Sequence, residues 1–267
     1  MPPSSSCLTT THWISTPHGQ LFAKQWQPTS LSTSSIPIIL LHDSLGCVEL
    51  WRSFPEQLAL TSGHPVIAYD RLGFGQSDAR GDRLSTRFVQ EEAEQILPLL
   101  FQQFAIEYFV VLGHSVGGGM ATYCAAHYPK QCLGLMMESA QAFVEDRTLA
   151  GIREAEVSFQ EPTQLSRLAR YHGDKVHWVL EAWIKTWLSP EFADWSLAKV
   201  LPFVQCPTLV LHGEQDEYGS VAHPQMIAEL IDAPTELDIM AGVKHVPHRE
   251  QEQWVVERVS RFLKASL

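Results

Sequence analysis

No stretch of this chain approaches the ~20 consecutive apolar residues that a membrane-spanning helix needs. Its N-terminus has neither the basic residues nor the apolar run of a secretion signal, so neither kind of segment is expected. Basic residues are also few. Against 30 Asp and Glu there are 19 Lys and Arg, leaving a net charge of −11. No basic cluster is long enough to follow a phosphate backbone, which argues against a nucleic-acid partner. Cysteine is sparse, and Cys7, Cys47, Cys124, Cys132 and Cys206 show no zinc-ligand spacing. Odd in number and scattered, they read as free thiols in a reducing compartment, so a cytoplasmic location is expected. Internal repeats are absent, and the one biased tract is a Ser/Thr-rich link from Thr29 to Ser35.

What is present can fill an interior: 45% of the 267 residues are hydrophobic, enough for one large α/β domain or a core with a modest insertion. Residues 11–16 and 20–27 read as a hairpin around Pro17-His18-Gly19. Short apolar strands then follow at 37–42, 65–70, 107–113, 131–137, 207–212 and 235–239. They alternate with helical segments at about 51–61, 84–103, 115–128, 221–231 and 250–265, with Pro98 expected to kink or break the second. Near-continuous apolar strands separated by helices imply a parallel sheet buried on both faces. The alternation stops from about Phe143 to Leu197, where only helix-like sequence remains and four of the eight Trp residues gather. Most of these rings suit core packing; as a group, with Phe143, Trp183 and Trp187 foremost, they also suit a helical cap over an apolar substrate pocket.

The most informative stretch is Val110-Val111-Leu112-Gly113-His114-Ser115-Val116-Gly117-Gly118-Gly119, an apolar strand pattern running into Gly-x-Ser-x-Gly and then a helix-like segment. A sharp strand-to-helix turn crowds the positions two before and two after its apex, which is where glycines stand. Ser115 would sit at a helix N-terminus, facing backbone N–H groups suited to an oxyanion. A serine hydroxyl needs a base and an orienting acid. Of twelve histidines, His245 is best placed, in the loop after the last predicted strand and before the last helix. His248 is its competitor, with Pro247 and Arg249-Glu250 suggesting a structural or rim position. Asp216 follows the strand ending at Leu211, with Glu214 and Glu217 as rival acids. The order Ser115, Asp216, His245, each after its own strand, belongs to a known triad arrangement. Oxyanion donors are expected from the N–H of Val116 and from the loop Leu41-His42-Asp43-Ser44-Leu45-Gly46, with Ser44 preferred and Leu45 the alternative. His42 and His114, next to buried strand ends, read as structural. Asp70 and Arg71 read as turn and ion-pair residues, and Glu91, Glu92 and Glu94 as a solvated acidic face.

At these residues the chain resembles the α/β-hydrolase superfamily over nearly its whole length. Beside the serine motif stand Leu40-Leu41-His42, Tyr69-Asp70-Arg71-Leu72-Gly73-Phe74-Gly75-Gln76-Ser77-Asp78, Leu211-His212-Gly213-Glu214-Gln215-Asp216 and His245-Val246-Pro247-His248-Arg249-Glu250. The resemblance implies a mostly parallel eight-stranded sheet flanked by helices, residues 1–142 and 198–267 forming the core and 143–197 a helical cap. It equates Asp216 with the triad acid and His245 with the base. Two departures stand out: Asp43 replaces the glycine usual after the loop histidine, and Lys244 precedes His245 where a small residue is common. The Asp43 carboxylate is expected to turn away and bond the backbone as an Asx turn. The activity implied is serine hydrolysis of a small, largely apolar ester, thioester or lactone through an acyl-enzyme, without metal or cofactor. C–C bond hydrolysis and a non-enzymatic ligand receptor are the rivals. The sequence leaves monomer and homodimer open.

Overall fold

A computed structural model describes residues 6–29 and 35–267; most of the Ser/Thr-rich link and the first five residues lie outside them. Eight strands form one sheet in the order β1-β2-β4-β3-β5-β6-β7-β8. β1 (Cys7–Thr16) and β2 (Gly19–Pro28) are the antiparallel hairpin, with Trp13 opposite Phe22. β2 runs antiparallel to β4 (Val66–Tyr69). β3 (Ile38–Leu41), β4, β5 (Phe109–His114), β6 (Cys132–Glu138), β7 (Thr208–Gly213) and β8 (Thr235–Met240) are mutually parallel. The hairpin begins at Cys7 rather than residue 11. In this outermost strand only Ile14 is buried, so its first residues carry no apolar alternation to announce them.

The helices are α1 (Phe54–Ser62), α2 (Phe88–Glu91), α3 (Leu97–Phe104), α4 (Val116–His127), α5 (Asp146–Ser158), α6 (Pro162–His172), α7 (Val176–Trp187), α8 (Ala222–Leu230), α9 (Pro247–Glu250) and α10 (Glu252–Ser266). Alternate residues of the parallel strands feed two cores. Ile38, Leu40, Val110, Leu112 and Met136 pack with Phe54 and Leu58 of α1 and Val255, Val259 and Phe262 of α10. Ile39, Leu41, Val111, Leu135 and Met137 pack with Val89 and Leu100 and with Met120 and Cys124 of α4. Burial on both faces is why these strands read as unbroken apolar runs.

Pro98 acts as expected, one turn early. A π-helical turn, Glu92–Ile96, joins α2 to α3, so the proline lies in the first turn of α3, where a missing N–H costs least. At the far edge of the sheet, Arg258 of α10 grips two carboxylates of β8: Nε reaches Asp238 at 2.6 Å and Nη2 reaches Glu236 at 2.5 Å.

Between β6 and β7, residues 143–197 hold α5, α6 and α7. Phe143 pairs with Ser196, and the Leu197 N–H donates to the Ala142 carbonyl at 2.7 Å, so the two ends of the segment meet. His172 clamps its other side. Its Nδ1 accepts from the Gly75 N–H at 2.9 Å, and Nε2 donates to the Leu45 carbonyl at 3.0 Å. That pattern uses a neutral ring, and burial pushes the His172 pKa down. Trp187, Phe192 and Trp195 pack ring on ring within the same segment. Among the described residues no helix is long and apolar enough to cross a membrane.

Candidate active site

β5 ends at His114 and α4 begins at Val116, which leaves Ser115 alone at the turn with φ 56° and ψ −125°. A non-glycine residue held there is strained. The close packing that holds it is visible at the flanking glycines: a Cβ on Gly113 would overlap the Gly117 carbonyl, and one on Gly117 would overlap the Leu41 carbonyl.

Asp216 and His245, 29 residues apart in sequence, meet at the carboxyl edge of the sheet. His245 Nδ1 lies 2.8 Å from Asp216 Oδ2 and 2.9 Å from Oδ1. Oδ1 also accepts the N–H groups of Tyr218 at 2.7 Å and Gly219 at 3.0 Å. Burial would raise the Asp216 pKa, but His245 and these donors hold it below the usual carboxylate range. Glu214 instead bonds the Gly242 N–H at 3.1 Å.

Ser115, His245 and Asp43 line one cavity, of about 320 Å³. At rest the serine does not bond the imidazole. Its Oγ donates to Gln141 Oε1 at 3.1 Å. Gln141 is buried and follows β6 directly; the sequence reading did not single it out. The available signal was topological, since loops after neighbouring parallel strands converge on one rim.

In the loop after β3, Asp43 Oδ1 accepts the Leu45 N–H at 2.7 Å, the Asx arrangement. Leu45 is thereby occupied. The N–H groups of Ser44 and Val116 donate to no acceptor among the described residues. Asp43 Oδ2 sits 3.3 Å from His114 Nδ1, an ion-pair contact outside hydrogen-bond geometry. Burial opposes ionisation of Asp43, but His114 and His42 depress its pKa strongly.

His114 also donates through Nε2 to the His245 carbonyl at 2.8 Å, bracing the backbone of that residue. His248 is a core residue rather than a rim residue. Buried, it bonds Glu138 Oε2 through Nδ1 at 2.7 Å while its N–H reaches Oε1 at 2.5 Å. Trp51 and Phe54 pack on its ring.

The cavity wall is largely apolar: Leu45, Leu50, Ile152, Leu168, Trp183 and Trp187 contribute, with Gln164, Arg167 and Tyr171 of α6 and Arg249 of α9 among its polar lining. Phe143 is not part of it; its ring lies against His223, with centroids 4.2 Å apart. Lys244 is exposed and does not line the cavity.

Two further sequence expectations need correction. Glu92 is buried rather than solvated, because the π turn swings it inward, where Tyr69 donates to it at 2.6 Å. Arg71 has no carboxylate within ion-pair distance among the described residues. Its Nη2 donates to the Asp43 carbonyl at 2.7 Å, and Nε approaches His42 Nε2 at 3.4 Å. Asp70 braces two loops, accepting from the N–H groups of Val48 and Gln76, each at 2.6 Å.

Comparison with known proteins matches residues 36–172 to the family described as alpha/beta hydrolase fold. Human serine hydrolase BPHL is 28% identical over 188 residues, which are 68% of this chain and 64% of that protein. The chain thus spans a little under two thirds of that relative's length. Proline iminopeptidase of Lactobacillus delbrueckii subsp. lactis is 30% identical over 42% of this chain and 38% of its own. Among solved structures, proline iminopeptidase of Mycobacterium smegmatis aligns with a TM-score of 0.73 at 21% identity, covering 96% of this chain and 98% of that one.

Proposed function

The chain belongs to the α/β-hydrolase family, and from that premise we propose that it is a serine hydrolase, a carboxylesterase acting on small, largely apolar esters, thioesters or lactones in the cytoplasm. The observation that carries the reading is the convergence of the strained Ser115, the Asp216–His245 pair and two free N–H groups on one mostly apolar cavity.

In this mechanism a substrate carbonyl enters between Ser115 and the N–H groups of Val116 and Ser44. The serine hydroxyl leaves Gln141 for Nε2 of His245; such catalytic hydrogen bonds commonly tighten only with substrate bound. As Oγ attacks the carbonyl carbon, His245 takes its proton, and Asp216, ionised and already bonded to Nδ1, stabilises the imidazolium. The carbonyl oxygen gathers negative charge against the two N–H groups. Collapse breaks the bond to the leaving group, which departs with the proton from His245. Water then attacks the acyl-enzyme by the same route and restores Ser115.

Asp43 is compatible with this chemistry because one carboxylate oxygen is bonded by Leu45 and the other faces His114. The cap, residues 143–197, supplies Trp183 and Trp187 to the apolar wall, which favours an uncharged acyl group.

The test is hydrolysis of short p-nitrophenyl esters together with labelling by a fluorophosphonate. The intact chain is expected to do both and Ser115→Ala neither. Retention of both activities by that variant would overturn the assignment of Ser115.

A further inference from the structure

A second cavity, of about 510 Å³, lies away from Ser115. It opens between the β1–β2 turn, the Arg71–Asp82 loop and the α2–α3 segment. Leu84, Phe88, Ile96 and Leu99 form its apolar wall. At its polar end stand two ionisable groups, each more than nine-tenths buried: Arg71, 5% exposed, and Glu92, 8% exposed.

The two share no hydrogen bond or ion-pair contact among the described residues, although each is the other's strongest opposite charge. Each is half-used. Arg71 spends Nη2 on the Asp43 carbonyl and Nε on His42, and lays its guanidinium 4.1 Å from the Phe74 ring centroid. Nη1 has no acceptor among the described residues. Glu92 accepts from Tyr69 on Oε1, while Oε2 has no donor among them. Neither free atom is sealed away: both are absent from the buried side-chain atoms that lack partners. The other cation of this cavity, Arg80, is already taken by Asp82, with contacts of 2.8 and 2.9 Å. Among the buried groups of this cleft the structure therefore leaves one donor, Arg71 Nη1, and one acceptor, Glu92 Oε2, without a protein partner; Glu91, Gln95 and His18 also line it, but are more exposed.

That combination selects a head group. A carboxylate would satisfy Arg71 but face Glu92; an ammonium would satisfy Glu92 but face Arg71. A neutral group offering an acceptor and a donor side by side suits both and brings a like charge up to neither. We propose that this cavity is a second binding site, for a neutral amphiphile whose head is a primary amide and whose tail is a short alkyl chain. The amide oxygen accepts from Arg71 Nη1, the amide N–H donates to Glu92 Oε2, and the tail lies along Leu84, Phe88, Ile96 and Leu99.

The site has a physical link to the reactive one. The guanidinium that would hold the head group also holds the carbonyl of Asp43, next to the Ser44 N–H. The binding proposal itself does not depend on the chemistry assigned to Ser115.

Three probes of matched length test it by calorimetric titration of the intact chain: hexanamide, hexanoate and hexylammonium. Hexanamide is expected to bind at least tenfold more tightly than either charged probe, and Leu84→Trp, which fills the cleft, is expected to abolish its binding. Glu92→Gln keeps an acceptor for Tyr69 but removes the charge, so it should shift the hexanamide-to-hexanoate preference at least tenfold toward hexanoate. That shift compares two ligands on one variant with the same two on the intact chain, so it stands even if the tryptophan variant fails to fold. Absence of hexanamide binding, equal or tighter binding of either charged probe, undiminished hexanamide binding to a folded Leu84→Trp, or an unchanged preference in Glu92→Gln would each overturn the proposal.

Discussion

Two carboxylate–imidazole pairs stand on either side of His114. Asp216–His245 and Glu138–His248 have nearly the same geometry, with closest contacts of 2.8 and 2.7 Å, and each histidine ring lies about 5 Å from that of His114, at 5.1 and 5.0 Å. What separates them is access. His245 is 8% exposed and lines the Ser115 cavity, whereas His248 is 3% exposed and packed against Trp51 and Phe54. Pairing with an acid is common to both rings and so does not single out a base; the ring open to the cavity is the one the proposed mechanism uses.

The largest break in that comparison should come at His245. His245→Ala is expected to lower kcat for p-nitrophenyl esters by roughly 10⁶, the loss seen when a triad histidine is removed, leaving a residual acceleration of about 10³ to 10⁴ over water. Thermal unfolding of the variant should stay close to that of the intact chain. A fall of less than tenfold would move the base elsewhere.

The mirror experiment is His248→Ala, which strips the partner from a buried carboxylate. A loss of about 3–5 kcal/mol in unfolding free energy is expected by denaturant titration. Activity per folded molecule should remain within tenfold. If activity collapses while stability holds, the roles of the two pairs have been exchanged.

A smaller effect sharpens the resting state of the serine. Gln141→Ala removes the acceptor that holds the Ser115 hydroxyl. A neutral hydrogen bond is worth ~0.5–1.5 kcal/mol net, so fluorophosphonate labelling should speed up by roughly 2- to 12-fold. Slower labelling would mean that Gln141 assists the nucleophile rather than restraining it.

Acid titration tests the sealed histidines together. Burial lowers the pKa of His42, His172, His212, His223 and His248 in the folded chain. Below the unfolded histidine value of about 6.5 the unfolded chain binds more protons than the native one, so stability falls as pH drops from there through the folded values. His114, raised overall because Asp43 and Glu138 outweigh its burial, works in the opposite direction. Asp216 and Glu138, held low by their histidines, add their loss only once pH falls below about 4. Urea midpoints should decline between about pH 6.5 and 5 and more steeply below 4; a flat profile above pH 5 would show that the buried rings do not stay neutral.

The parts of the molecule legible in the sequence are those written locally. Gly113-x-Ser115-x-Gly117 encodes its turn because a Cβ at either glycine would strike backbone, and the apolar strands announce themselves because both faces are buried. Order along the chain brought Asp216 to His245. Direction was harder to read. Glu92 was expected outside, and the π turn that rotates it inward has no signature beyond Pro98 two residues after it. Glu138 and His248 are 110 residues apart, and nothing in either neighbourhood names the other. Gln141 became visible only when β6 was placed beside β5. Residues whose role depends on which way a side chain points across a long loop escape a reading made from periodicity and spacing.

The grip of Arg258 on β8 has a consequence beyond holding α10. β8 ends the sheet, and an outermost strand carries unused backbone donors and acceptors that invite a neighbour's strand. Charged side chains on an outermost strand are one of the devices that discourage edge-to-edge pairing, and on β8 Glu236 and Asp238, held in place by Arg258, supply them.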